Sequence, residues 1–339
     1  MTRNMLALCA AVLVAAALSL AQSVFAPIAF SLFVIATVWP FQKAVQARVP
    51  KPVALIVVLL TTGVIVALVT SVIAWSFGIE SQLLYDNASR FQTQYFRLLT
   101  WLEQHDIVML RSLAGGFDVF WLVRVVRGLA SRLNGFFGFA VITAILTTIG
   151  LLEVDDCRRR VESLEDRVLA QRLLRIGEET SAKLRKYLGV RTLMSALTGL
   201  LTWGVALLAH LPLAGSWGVI AFALNYIPFI GSFIASVLPA VFTAMQFGSW
   251  QKGLVVLLAL MAIQSLVGSY LEPLLSGSML NISPFAVVVV VFLWTFLWGI
   301  PGTVIGVPLT LAFLTACEHH PATRWIAVLL SGGAPKTRT

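Results

Sequence analysis

The sequence predicts an all-α integral membrane protein, with about eight transmembrane helices, a re-entrant helical hairpin and two amphipathic helices between spans. Three observations carry this expectation. Of 339 residues, 59% are hydrophobic and 12% charged, where soluble domains carry roughly a quarter charged residues. The mean hydropathy is +0.91, more apolar surface than a water-soluble fold can hide. Apolar runs long enough to cross a bilayer, about 20 residues each, recur along the chain. Helices suit such runs because their backbone hydrogen bonds are internal and their side chains can face lipid.

The runs fall at 4–21, 24–40, 53–78, 135–152, 190–210, 250–271, 284–300 and 302–318. The first, with Arg3 ahead of it, has the layout of a secretory signal. The apolar stretch resumes directly after Gln22 and Ser23, so a helical hairpin is the better reading. A ninth stretch, 216–248, contains Pro228, Gly231 and Pro239 and reads as two half-helices folding back, which membrane depth tolerates only inside protein or beside a water-filled cavity.

The loop Phe41 to Pro52 holds Lys43, Arg48 and Lys51 with no acid, and Leu151 to Arg191 holds ten basic residues. By the charge bias of cytoplasmic loops, both face the cytoplasm. That puts both termini inside and the 79–134 segment outside. In this segment Leu83, Leu84, Phe91, Tyr95, Leu98, Leu99 and Leu102 recur at helical spacing, as on an amphipathic helix lying on a membrane, meeting a partner or packing as a surface helix. Charges of both signs alternate from Glu153 to Lys186, as on a solvated helix. The expected organisation is an amino-terminal membrane part (1–152), a cytoplasmic charged helix (153–189), a carboxy-terminal membrane part with the transport site (190–320) and a cytoplasmic tail (321–339).

The formal charge of +9 does not point to nucleic acid, because the basic residues are scattered over loops without a binding motif; anionic lipid explains them better. Cys9, Cys157 and Cys317 are far apart and outside metal spacing, and His105, His210, His319 and His320 adjoin no nucleophile or acidic pair. No glycine-rich phosphate loop is present. The expectation is no catalytic grouping, no metal and no cofactor, hence no enzyme, with lipid as a partner and any transport secondary or passive.

The carboxy-terminal half is more informative. Asn225-Tyr226-Ile227-Pro228-Phe229-Ile230-Gly231 sets an amide, a phenol, a proline and a glycine inside an apolar segment. Proline removes a backbone donor, and broken helices of this kind hold solutes near the midplane of transporters. Tyr270-Leu271-Glu272-Pro273 ends the next span, and Glu272 is the one acid between Glu179 and Glu318. A carboxylate near membrane depth is by default a functional candidate. Asn225, Tyr226, Pro228, Gly231, Glu272 and Pro273 are therefore the expected substrate pathway. Beyond them come Gly277 and Pro284, then Trp294, Trp298, Gly299, Pro301, Gly302, Gly306 and Pro308. Tryptophans favour the membrane interface and Gly302 with Gly306 forms a GxxxG contact, so this group reads as packing and a tight turn.

With these residues in view, the chain resembles the autoinducer-2 exporter-like (AI-2E) family of bacterial membrane proteins. The resemblance rests on Tyr187, Arg191-Thr192 and Ser195; on Asn225-Tyr226-Ile227-Pro228, Gly231 and Pro239; and on Glu272-Pro273, Gly277, Leu280, Ser283-Pro284, Trp294, Trp298-Gly299, Gly302 and Val307-Pro308-Leu309. It implies an exporter of a small polar solute in the bacterial inner membrane, with autoinducer-2 the named substrate of some members, sodium or lithium exchange for protons proposed for others, and a homo-oligomer. The alternatives are a sodium(lithium)/proton antiporter and a non-transporting membrane scaffold. Members often carry a base after the Glu-Pro pair and another after the glycine. Here Leu274 and Ser278 stand there, which leaves Glu272 without its expected basic partners.

Overall fold

The computed structural model describes residues 2–104, 119–276 and 282–332. His105, Gly277, Ser278, Leu280, Lys336 and Arg338 lie outside the described residues, as do the side chains of Tyr95, Leu98, Leu99 and Leu102. The order is α1 (Thr2–Leu20), α2 (Gln22–Gln46), α3 (Lys51–Asp86), α4 (Ala88–Gln104), α5 (Val119–Glu162), α6 (Arg167–Leu208), α7 (Ala214–Leu224), α8 (Ile230–Phe247) and α9 (Trp250–Gln264). A π-helical turn, Ser265–Leu271, joins α9 to α10 (Glu272–Ser276); α11 (Pro284–Glu318) and α12 (Arg324–Leu330) follow. No strand occurs among the described residues.

Seven helical stretches among the described residues are long and apolar enough to cross a membrane, close to the eight expected. Their exposed faces are those of a membrane protein. On α6, Leu193, Leu200 and Leu207 are each more than half exposed, while Arg191, Ser195, Thr198 and Thr202 are buried. Spacings of three and four residues put the second set on one face and the leucines on the opposite one. Water would reverse that arrangement; lipid accounts for it.

The chain divides into two compact units. The first comprises Met1–Val64, Phe137–Val190 and Ser276–Thr339, and the second Ile65–Phe136 and Arg191–Leu275.

In the first unit α11 is two helices, not one. Gly299 sits at φ 62°, ψ −137°, and the chain folds back there, since Trp294 Nε1 donates to Thr310 Oγ1 at 3.1 Å. A straight helix would hold residues 16 apart about 24 Å away from each other along its axis. The runs 284–300 and 302–318 thus form a hairpin, closed by Gly302, where a Cβ would overlap the Trp294 carbonyl. Trp298 is 5% exposed and donates to the Leu18 carbonyl at 3.1 Å, so it packs inside instead of marking an interface. Pro284 opens α11 behind Ser283, whose Oγ accepts from Ala286 N. Pro301 and Pro308 lie within its second half, where Pro308 is buried.

The charged region of the same unit is a helical pair. Helix α5 runs to Glu162, Asp166 caps α6 by accepting from Val168 and Leu169 N, and Arg158 reaches Glu178 at 3.0 Å. Lys43 and Lys51 both meet Asp155, at 2.8 and 3.6 Å. Lys183 meets Glu318 at 2.9 Å, and His319 approaches Glu179 at 3.4 Å.

In the second unit, α3 continues eight residues past the expected end of its span. Leu84 and Phe91 are fully buried in a core with Trp217, Leu238 and Phe242. The rings of Phe91 and Trp217 lie 5.4 and 5.3 Å from Phe242. Of the readings open for this segment, its described part takes inward packing, because large apolar side chains gain more from burial than from an interface. Helices α7 and α8 form the expected hairpin, yet Pro239 breaks nothing: it lies buried within α8.

Candidate functional site

The tip of the α7–α8 hairpin, residues 225–229, is where the apolar chain turns polar. Helix α7 is short because Pro228 supplies no backbone N–H and disfavours helical geometry in the residue before it. Phe229 then takes φ 61°, ψ −60°, the strained geometry of a γ-turn closed by Ile230 N donating to the Pro228 carbonyl at 2.7 Å, at a cost of about 1 kcal/mol or more. Gly231 completes the turn, since a Cβ there would overlap the Leu224 carbonyl.

This geometry hands the tip's side chains to α6. Asn225, 4% exposed, donates from Nδ2 to Ser195 Oγ at 3.2 Å and accepts from Ser232 Oγ at 3.4 Å. The Tyr226 hydroxyl donates to Thr192 Oγ1 at 2.8 Å, and its ring packs edge-on against Phe222. Close packing brings the helices together: a Cβ at Gly199 would press on the Gly218 carbonyl, and one at Gly218 on the Gly199 carbonyl.

One turn from Ser195 on the same face of α6 lies Arg191, 6% exposed. Its Nη1 donates to Glu272 Oε1 and Oε2 at 2.8 and 2.9 Å. The sequence left Glu272 without nearby bases; the fold supplies one from 81 positions earlier in the chain. Arg191 Nε is buried with no hydrogen-bond partner, so the guanidinium keeps a spare donor. Pro273 is the second residue of α10, directly after Glu272.

Of the expected site residues, Asn225, Tyr226, Pro228 and Gly231 form the tip, and Glu272 is held against the same helix face by Arg191. Ser195, Thr192 and Arg191 carry that contact; the signal for them was their spacing of three and four residues on one otherwise leucine-rich helix. Trp298, Gly299, Gly302 and Pro308 belong to the hairpin of the first unit. Chemically the site offers an amide, a phenol, three hydroxyls, a carboxylate and a spare guanidinium donor, a set that recognises hydroxyl and carbonyl groups. The 3.4 Å contact of Ser232 is longer than usual for hydroxyl donors.

Comparison with known proteins gives the site a context. A family model described as AI-2E family transporter matches residues 6–322. The AI-2 transport protein TqsA of Escherichia coli K12 is 26% identical over 322 residues, covering 94% of this chain and 93% of that protein. A Haemophilus influenzae protein with a provisional transport name is 25% identical over 335 residues, 97% of this chain and 96% of its own length. YhhT of Escherichia coli K12, also named provisionally for transport, is 34% identical over 152 residues, 45% of this chain and 43% of its own.

Proposed function

The chain belongs to the AI-2E transporter family, and on that premise we propose that it is a secondary exporter of a small polar solute through its second unit. One observation carries the reading: an apolar hairpin breaks where Asn225 and Tyr226 can reach buried hydroxyls of α6, one turn from the Arg191–Glu272 pair. Lipid-facing helices gain nothing from such groups unless they meet each other or a solute.

In this reading the solute's hydroxyl and carbonyl groups replace the Asn225–Ser195 and Ser232–Asn225 bonds. Arg191 Nε supplies a further donor. Pro228 and Gly231 keep the tip's backbone fixed while the side chains exchange partners. Glu272 holds Arg191 in place and neutralises it, so that the buried guanidinium does not repel cations. Autoinducer-2, named for the Escherichia coli relative, has the chemistry this site accepts: it is small, polar and rich in oxygen. Bacterial inner-membrane placement and a homo-oligomer accompany this proposal.

The test is efflux of labelled small polyhydroxylated solutes from vesicles reconstituted with the full chain. Asn225→Ala should lower solute flux about tenfold, the order expected when one exchangeable hydrogen bond to substrate is lost. Wild-type flux in Asn225→Ala and in Tyr226→Phe together would remove the tip from the pathway.

A further inference from the structure

We propose that Glu80 on α3 is a cation-accepting carboxylate, a second charge-handling position in the unit that holds the solute site. Glu80 is 1% exposed, and neither of its carboxylate oxygens has a hydrogen-bond partner. One turn earlier on the same face, Ser76 is fully buried and its Oγ is also unpartnered. Phe77 and Leu84, which flank Glu80 by a turn or less, pack into the core of the second unit.

The core that Phe77 and Leu84 join is built from apolar side chains of α4, α7 and α8, Phe91, Trp217, Leu238 and Phe242 among them. The nearest titratable groups on the same helix, Tyr85 and Asp86, lie five and six positions further on. Trp217 Nε1, in the same core, is a buried donor with no partner. An anionic carboxylate in such surroundings costs several kcal/mol unless something positive joins it. No described side chain makes a hydrogen bond to it, and a proton or a small monovalent cation would fill that role. Glu272 is different, since its charge is already matched by Arg191 through two contacts.

A polar face runs towards this position. On α6, Arg191, Ser195, Thr198 and Thr202 form one buried face, and Ala206, next on that face, belongs to the core that Phe77 and Leu84 join. Thr198 Oγ1 is buried without a partner. The line from Arg191 to Ala206 covers 15 residues, about 22 Å of helix, and sets three hydroxyls between the solute site and that core. The role in coupling rests on the transport reading; the site itself does not.

Labelling of the full chain in vesicles with dicyclohexylcarbodiimide, which reacts with protonated carboxyls in apolar surroundings, tests this when adducts are mapped by mass spectrometry. Glu80 should be modified and Glu272 spared, with modification falling as pH rises. Suppression by sodium chloride at constant pH identifies an alkali cation as the partner. Labelling that follows pH and ignores sodium identifies the proton. Glu80→Gln should abolish the pH and sodium dependence of solute flux, and Glu80→Asp should retain it. No adduct at Glu80 under any condition overturns the proposal, and a folded Glu80→Gln protein whose solute flux keeps the wild-type pH and sodium profile overturns its role in coupling. Cation-sensitive labelling in a protein that moves no solute supports the cation site and sinks the exporter reading.

Discussion

The two units each contain a hairpin closed by the same device, and the hairpins differ in where they send their polar groups. In both, an Ile-Pro pair sits at the turn, a residue with φ near +60° reverses the chain, and a glycine presses on a carbonyl of the preceding helix. In the first unit that residue is Gly299 and most of the polar side chains meet inside the hairpin: Trp294 bonds Thr310, and Thr295 shares a 2.8 Å contact with Thr303, while Trp298 reaches the Leu18 carbonyl of α1. In the second, Phe229 takes the strained position and Asn225 and Tyr226 bond to α6. A hairpin whose polar side chains bond mostly to each other or to a backbone carbonyl is a packing element. One whose amide and phenol meet side-chain hydroxyls of another helix has partners that a ligand's hydroxyls could replace.

The shared device should give the largest effects. Gly231→Val and Gly302→Val both force side-chain atoms into backbone and should each destabilise by about 3 kcal/mol, the scale of severe overpacking, read as loss of a cooperative melt in detergent. Tolerance of one but not the other would break the parallel between the hairpins.

Next comes Arg191→Ala, which leaves Glu272 without its partner. Removing one member of a buried pair costs about 3 kcal/mol, less here because Glu272 remains 23% exposed. The double variant Arg191→Met with Glu272→Leu should recover much of the stability while solute flux stays lost. Recovery of flux as well would demote the pair to packing.

Smaller effects separate the two tips most sharply. Trp298→Phe loses one bond to the Leu18 carbonyl and should cost about 1 kcal/mol with flux unchanged; a flux defect as large as that of Asn225→Ala would erase the distinction drawn between them. Phe229→Gly should raise the melting temperature slightly, since relief of about 1 kcal/mol of strain at its positive φ is partly offset by the entropy of glycine in the unfolded chain.

The break at Asn225 was legible because proline, glycine and two polar side chains inside an apolar run have few other uses. Its partners were not. Arg191 and Glu272 are 81 positions apart, and nothing local in either segment names the other. Glu80 was hidden by a boundary: closing the third span at residue 78 assigned the carboxylate to a solvated segment. The helical spacing of Ser76, Phe77, Glu80 and Leu84 runs straight through that boundary, and it was the available sign that the helix and its buried face continue to Asp86. Pro239 misled in the other direction, since a proline inside a helix removes one backbone bond, to the carbonyl four residues earlier, and the helix can run on through it where the ring is packed, as Pro239 is buried within α8.

The π-helical turn Ser265–Leu271 sets the angular phase of everything after it. A π turn holds one residue more than an α turn allows, and one residue corresponds to about 100° of rotation. The wider turn takes up that residue, so Glu272 leaves it on the bearing that meets Arg191. Removing a single residue between 265 and 271 would let the stretch close as an ordinary α-helix with the carboxylate on much the same bearing, whereas the same deletion inside α9 would swing it about 100° away. The π turn is thus the one part of this helix where length can change without moving the site.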